Sequence, residues 1–218
     1  MIPRILNRTI TVLSVTLLMA LLRPALAAGP VTIVALGDSL TAGYGLAESD
    51  SFPVKLEAAL KSRGLAVTVV NAGVSGDTAE EGLARLDWSV PEGTDAVIVE
   101  LGANNALRGM DPSGAKAALD EIVAKLKARK IEVLIAGMEA PSSLGDSYVT
   151  AFRAMYSELA GKHGALLYPF FLDGVATDPQ LNQPDGLHPT GKGVDVIVGR
   201  ILPKVEELIA RVAAAKAG

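Results

Sequence analysis

A serine after a strand, two glycine- or asparagine-bearing turns and one aspartate–histidine pair are where this chain could do chemistry. Ser39 stands in Gly37-Asp38-Ser39-Leu40, directly after an apolar run and ahead of a helix start. A hydroxyl there lies near a helix N-terminus, where negative charge is favoured, so it suits a nucleophile; it equally suits an ordinary helix cap. Thr41 occupies the place of the second glycine of the G-x-S-x-G elbow, so that motif is absent. The loop Asn71 to Asp77 carries Gly73, whose backbone N–H could approach a developing oxyanion or merely serve a turn. Asn104 and Asn105 follow another apolar run, and a side-chain amide there could donate to an oxyanion or cap the next turn.

Asp185-Gly186-Leu187-His188-Pro189 is the most telling piece. A tight loop of this kind can bring the Asp185 carboxylate to the Nδ1 of His188, which would fix the tautomer and leave Nε2 as a general base; a surface histidine at a helix start is the alternative, disfavoured because an imidazolium there would oppose the helix dipole. The chain has only two histidines. The other, His163, sits between Lys162 and Gly164 at the end of a helical pattern and reads as an exposed residue complementing the helix terminus.

Composition removes several competitors. With no cysteine, thiolate nucleophiles, disulfides and thiolate metal sites are excluded. Two distant histidines make a poor zinc site, and neither a Walker loop nor G-x-G-x-x-G occurs, so no metal and no cofactor are expected. A formal charge of −4 with 4% aromatic residues gives neither a basic face nor a stacking platform for nucleic acid.

The elements that must position these residues alternate along the chain. Apolar, β-branched runs at 31–36, 66–70, 96–101, 131–136 and 165–168 read as five strands. Helical patterns fall at about 52–63, 77–86, 111–129, 148–160 and from 189 or 190 to about 213. This order predicts an α/β fold: a three-layer α/β/α sandwich around a five-stranded, mostly parallel sheet. Ligands in such folds bind outside the carboxyl ends of the strands, which is where Ser39, Gly73 and Asn104 fall.

Taken in order, Gly37-Asp38-Ser39-Leu40, Gly73, Gly102-Ala103-Asn104 and Asp185-Gly186-Leu187-His188-Pro189 resemble the four blocks of the SGNH (GDSL) hydrolases. Ser75-Gly76-Asp77-Thr78, Gly82 to Leu86, Val99 to Gly102, Leu107-Arg108-Gly109 and Pro169-Phe170-Phe171 are similar to the thioesterase I, lysophospholipase L1 and arylesterase subgroup. The resemblance spans residues 30–212 or so. It implies a flavodoxin-like SGNH hydrolase fold with Ser39 as nucleophile, His188 as base and Asp185 orienting it. It also implies an oxyanion hole of the Ser39 and Gly73 N–H groups and the Asn104 amide. Leu107 and Met110 fall on the segment that borders the acyl site in this subgroup. One departure stands out, since the subgroup usually has Asp where this chain has Asn105.

The implied function is hydrolysis of small-molecule acyl esters and thioesters through an acyl-enzyme on Ser39. The alternatives are a carbohydrate O-deacetylase of the same family and, from a different class, a flavodoxin-like binding module without catalysis. At the N-terminus, Arg4 and Arg8 precede the apolar run Thr9 to Leu22, and Ala25-Leu26-Ala27 follows. That is the layout of a secretory signal peptide, and the run is shorter than the roughly 20 residues that span a bilayer. The expectation is therefore a leader over residues 1–27, one hydrolase domain over 28–218, no stable membrane anchor after cleavage, and a periplasmic or secreted enzyme. Cleavage removes three arginines and no acid, leaving 17 basic against 24 acidic residues and a charge of −7.

Overall fold

In the computed structural model of the protein, residues 29–218 are described. The expected leader, 1–27, lies outside them. From Val31 the chain alternates strands and helices: β1 (Val31–Gly37), α1 (Ser39–Ala42), α2 (Phe52–Ser62), β2 (Val67–Gly73), α3 (Ala79–Ala84), α4 (Leu86–Ser89), β3 (Ala96–Glu100), α5 (Ala103–Leu107), α6 (Pro112–Ala128), β4 (Glu132–Ala136), α7 (Asp146–His163), β5 (Leu166–Tyr168) and α8 (Gly191–Ala217). The strands form one sheet in the order β2-β1-β3-β4-β5, and every neighbouring pair is parallel.

The strand sequences explain their places. β3 is Ala-Val-Ile-Val-Glu and buried throughout, and β1 and β4 are nearly so, as strands covered on both faces must be. β2 alternates buried Val67 and Val69 with exposed Thr68 and Val70, the pattern of an edge strand with one face in water. It runs on through Asn71-Ala72-Gly73, which read as a loop in sequence, because Gly37 of β1 pairs with Gly73 and the ladder continues. α2 and α8 cover one face of the sheet, and α3, α6 and α7 cover the other. Their inward residues recur at helical spacing, with Leu119, Ile122, Val123 and Leu126 on α6 and Ile197, Ile201, Val205 and Leu208 on α8. α8 continues through Pro203, which faces solvent together with Gly199, so water can satisfy the carbonyl that the proline leaves without a donor. No described helix is long and apolar enough to cross a membrane.

The strand order reverses between β1 and β3. Ser39 opens the helix after β1, and Asn104 lies in the helix after β3, so both stand at the crevice where such sheets take ligands.

Candidate active site

Asp38, not Ser39, caps α1: its carboxylate accepts the Leu40 N–H at 3.0 Å. The Ser39 hydroxyl is thereby left for another partner, and it meets His188 Nε2 at 2.9 Å. His188 Nδ1 lies 2.7 Å from Asp185 Oδ2. The other oxygen of Asp185 accepts the N–H groups of Leu187 and His188, at 2.9 and 3.0 Å. That tight wrap needs Gly186 at φ +70°, a conformation side-chain-bearing residues resist. The His188 N–H, the imidazole and the Leu187 N–H hold the Asp185 carboxyl down at about 2. Its stabilising contribution is present above the unfolded value near 4 and is lost as the pH falls toward 2.

The three expected oxyanion donors come from three elements, and of their residues Ser39 and Asn104 line the cleft described below while Gly73 does not. The Ser39 N–H belongs to the first turn of α1. The Gly73 N–H currently donates to Asn71 Oδ1 at 2.9 Å, and Asn104 Nδ2 donates to Asp38 Oδ2 at 3.1 Å and to the Asp77 carbonyl at 2.9 Å. Gly73 abuts the turn that carries the nucleophile, and a Cβ there would overlap the backbone of Thr41 and Ala42. Arg85 ties these ends together: it pairs with Asp77 and donates to the carbonyls of Gly37 (2.8 Å) and Ala72 (2.9 Å).

A cleft of about 460 Å³ opens over Ser39 and His188 between the loops that follow β1, β3, β4 and β5. Leu107, Met138, Ala140, Phe170, Leu172 and Leu187 give it apolar walls. Leu107 is thus one of the cleft's wall residues. Met110 does not line the cleft; its sulfur lies 3.9 Å from Asn105 Nδ2, and its carbonyl accepts the Tyr148 hydroxyl. Asn105 is fully buried, accepts the Ala79 N–H at 2.9 Å and donates to Glu80 at 2.7 Å. An aspartate there would set its charge against Glu80, so the departure from the subgroup is matched by a neighbour that wants a donor. His163 is not the exposed residue expected: its ring is mostly buried and bonds Asp120 of α6 at 2.6 Å. It closes α7 at the edge of the sheet opposite the cleft, since α7 leads into the start of β5.

Several further residues shape the site. The Tyr44 ring packs on the His188 ring at 4.6 Å between centroids. Gln183 bonds the carbonyls of Tyr44 and Pro189 and so fastens the histidine loop to the nucleophile segment. Thr78 and Glu81 form a reciprocal capping box that sets the start of α3; its signal, Thr followed three residues later by Glu, is legible in sequence. Glu100, fully buried at the end of β3, accepts from the Thr41 hydroxyl at 2.8 Å and leaves its second oxygen without a partner.

Burial pushes the Glu100 carboxyl well above the usual range, with the Asp38 charge adding to the effect. The folded chain therefore keeps a proton that the unfolded chain releases near pH 4, and stability from this group falls as the pH rises. Glu100→Gln removes the titration. The variant should therefore gain Tm relative to the parent as the pH rises from 4 to 8. Scanning calorimetry of both proteins reads this, and a difference that stays flat with pH would contradict it.

The chain is similar to known hydrolases along most of its length. The model of the GDSL-like lipase/acylhydrolase family matches residues 35–196. The thioesterase 1/protease 1/lysophospholipase L1 of Escherichia coli K12 is 36% identical over 184 residues, covering 84% of this chain and 87% of the relative. An arylesterase of Vibrio mimicus is 39% identical over 158 residues, covering 72% and 79% respectively. Among solved structures, AlinE4, an esterase of the SGNH-hydrolase family, superposes with a TM-score of 0.70 at 45% identity, covering 82% of this chain and 96% of that one.

Proposed function

The chain belongs to the GDSL-like lipase/acylhydrolase family and is a carboxylic ester hydrolase, and from that premise we propose how its residues divide the work. Ser39 Oγ attacks the acyl carbonyl while His188 Nε2 takes its proton. The imidazolium is steadied by Asp185 and returns the proton to the leaving oxygen or sulfur. Water, activated by the same nitrogen, then attacks the acyl-serine, and the acid departs. The observation that carries this reading is the continuous chain Ser39 Oγ–His188 Nε2–His188 Nδ1–Asp185 Oδ2, at 2.9 and 2.7 Å, facing an apolar cleft.

The N–H groups of Ser39 and Gly73 and the amide of Asn104 receive the charge that develops on the carbonyl oxygen. Asn71 and Asp38 hold two of these donors until the oxyanion takes a share of them. Holding donors in advance means that little reorganisation is needed at the moment of reaction.

The substrate class follows from the walls. A cleft of this volume lies in the roughly 300–1,000 Å³ range of small-molecule sites, and its apolar lining suits an acyl chain longer than acetyl. The similar proteins are named for thioesters, lysophospholipids and aryl esters, and we extend those classes to this chain. An apolar wall gives an acetylated sugar few polar partners, which disfavours the O-deacetylase alternative, and the binding-module alternative leaves the Ser39–His188 contact without a role. Arg4, Arg8 and the apolar run after them support export to the periplasm or beyond. Rates on p-nitrophenyl esters should rise from acetyl toward octanoyl, and a fluorophosphonate should label Ser39. A preference confined to acetyl groups would overturn the acyl-chain reading, and labelling elsewhere would overturn the assignment of the nucleophile.

A further inference from the structure

The carboxylate beside the nucleophile neither attacks the carbonyl nor moves a proton in the reaction just described. Asp38 is 1% exposed and its rotamer is fixed by the Leu40 N–H on one oxygen. Its other oxygen faces Asn104 Nδ2 at 3.1 Å, and the second hydrogen of that amide goes to the Asp77 carbonyl at 2.9 Å. Both neighbours of the amide are therefore acceptors. An Asn104 side chain rotated by half a turn would set its own oxygen against both, so only one orientation is tolerated.

We propose that Asp38 is a positioning residue for Asn104, acting as the fixed acceptor that keeps the amide nitrogen, and not its oxygen, toward the reacting carbonyl. This rests on the reading of Asn104 as an oxyanion donor. The acceptor role requires the carboxylate form. Burial raises the Asp38 carboxyl to about 6, so at pH 8 it is ionised. The groups facing it are His188 from the histidine loop, Asp77 after β2 with its partner Arg85, Glu100 from β3, and Tyr156 from α7. Burial pushes the Glu100 carboxyl behind it well above the usual range.

Helix capping and amide positioning make opposite predictions for one substitution. In Asp38→Asn an amide oxygen remains for the Leu40 N–H, so the cap survives. Its NH₂ then meets the NH₂ of Asn104, and the donor–donor clash displaces or inverts the Asn104 amide. Loss of a single oxyanion donor costs about 10²–10³ in kcat. At pH 8, Asp38→Asn should lower kcat by roughly 10–100-fold, less than the full loss because the Asn104 amide is displaced and not removed, with KM within about twofold and the melting curve retained. Asn104→Ala alone should show the full loss. In the Asn104→Ala background, Asp38→Asn should change kcat by less than about twofold, because two changes that act through one group do not add.

The outcomes separate cleanly. If Asn104→Ala is silent, the oxyanion reading fails and takes this inference with it. If Asn104→Ala is impaired but Asp38→Asn is silent, raises kcat, or adds in full to Asn104→Ala, the oxyanion reading stands and the positioning role is overturned.

Discussion

Ser39→Ala is expected to lower kcat on p-nitrophenyl esters by about 10⁴–10⁶-fold, and His188→Ala by a similar factor, with neither adding much to the other. The non-additivity is the sharper half of the expectation. Ser39 is a strong nucleophile only while His188 takes its proton across the 2.9 Å contact, so losing either member removes the same step. What remains is catalysis by the oxyanion donors and the cleft acting on water, worth roughly 10³–10⁴ over solution. Neither substitution should unfold the chain, because the cap of α1 belongs to Asp38 and the loop of His188 is held by Asp185 and Gln183. Steady-state rates of the two single variants and the double variant, with circular dichroism melts beside them, measure this. Rates within tenfold of the parent in either single variant would place the nucleophile elsewhere.

The reason these residues could be found in sequence, while their supports could not, is physical. Ser39, Gly73 and Asn104 follow runs of apolar residues that no other element could use, and a parallel sheet presents its strand ends along one edge. Asp185 and His188 are three apart in a loop with glycine between them, so their contact is local. Asp38 and Asn104 are 66 residues apart, and nothing in Gly-Asp-Ser-Leu tells whether the aspartate turns outward or lies under the sheet. Glu100 is harder still. A glutamate closing an apolar strand reads as the point where the chain reaches water, yet β3 lies between β1 and β4 and the carboxyl is sealed in. α1 and α5 are four and five residues long, too short to show a helical period. Met110 shares with Leu107 the segment that borders the acyl site in the subgroup, but the turn of chain after α5 brings its sulfur to Asn105.

Asp185→Asn is expected to cost about 10²–10⁴ in kcat while leaving the loop folded, and the argument turns on one proton. The Leu187 and His188 N–H groups need only an acceptor, which the amide oxygen still supplies. The other position of the side chain then presents an NH₂ to His188 Nδ1, where Asp185 presented an acceptor at 2.7 Å. Facing a donor, Nδ1 must give up its hydrogen and accept, so the hydrogen moves to Nε2. An Nε2 that already carries a hydrogen points a donor at Ser39 and cannot take the hydroxyl proton. In a buried triad the tautomer error alone costs about 10⁴. Here the Asp185 side chain is 38% exposed, so water can soften the charge loss and let the ring readjust, which sets the lower bound of the range. The ring-nitrogen NMR signals of His188 report the tautomer directly: the parent should show a protonated Nδ1 and the variant a protonated Nε2. A variant that keeps kcat within threefold, or keeps the parent tautomer despite a large loss, would show that Asp185 serves the loop and not the base.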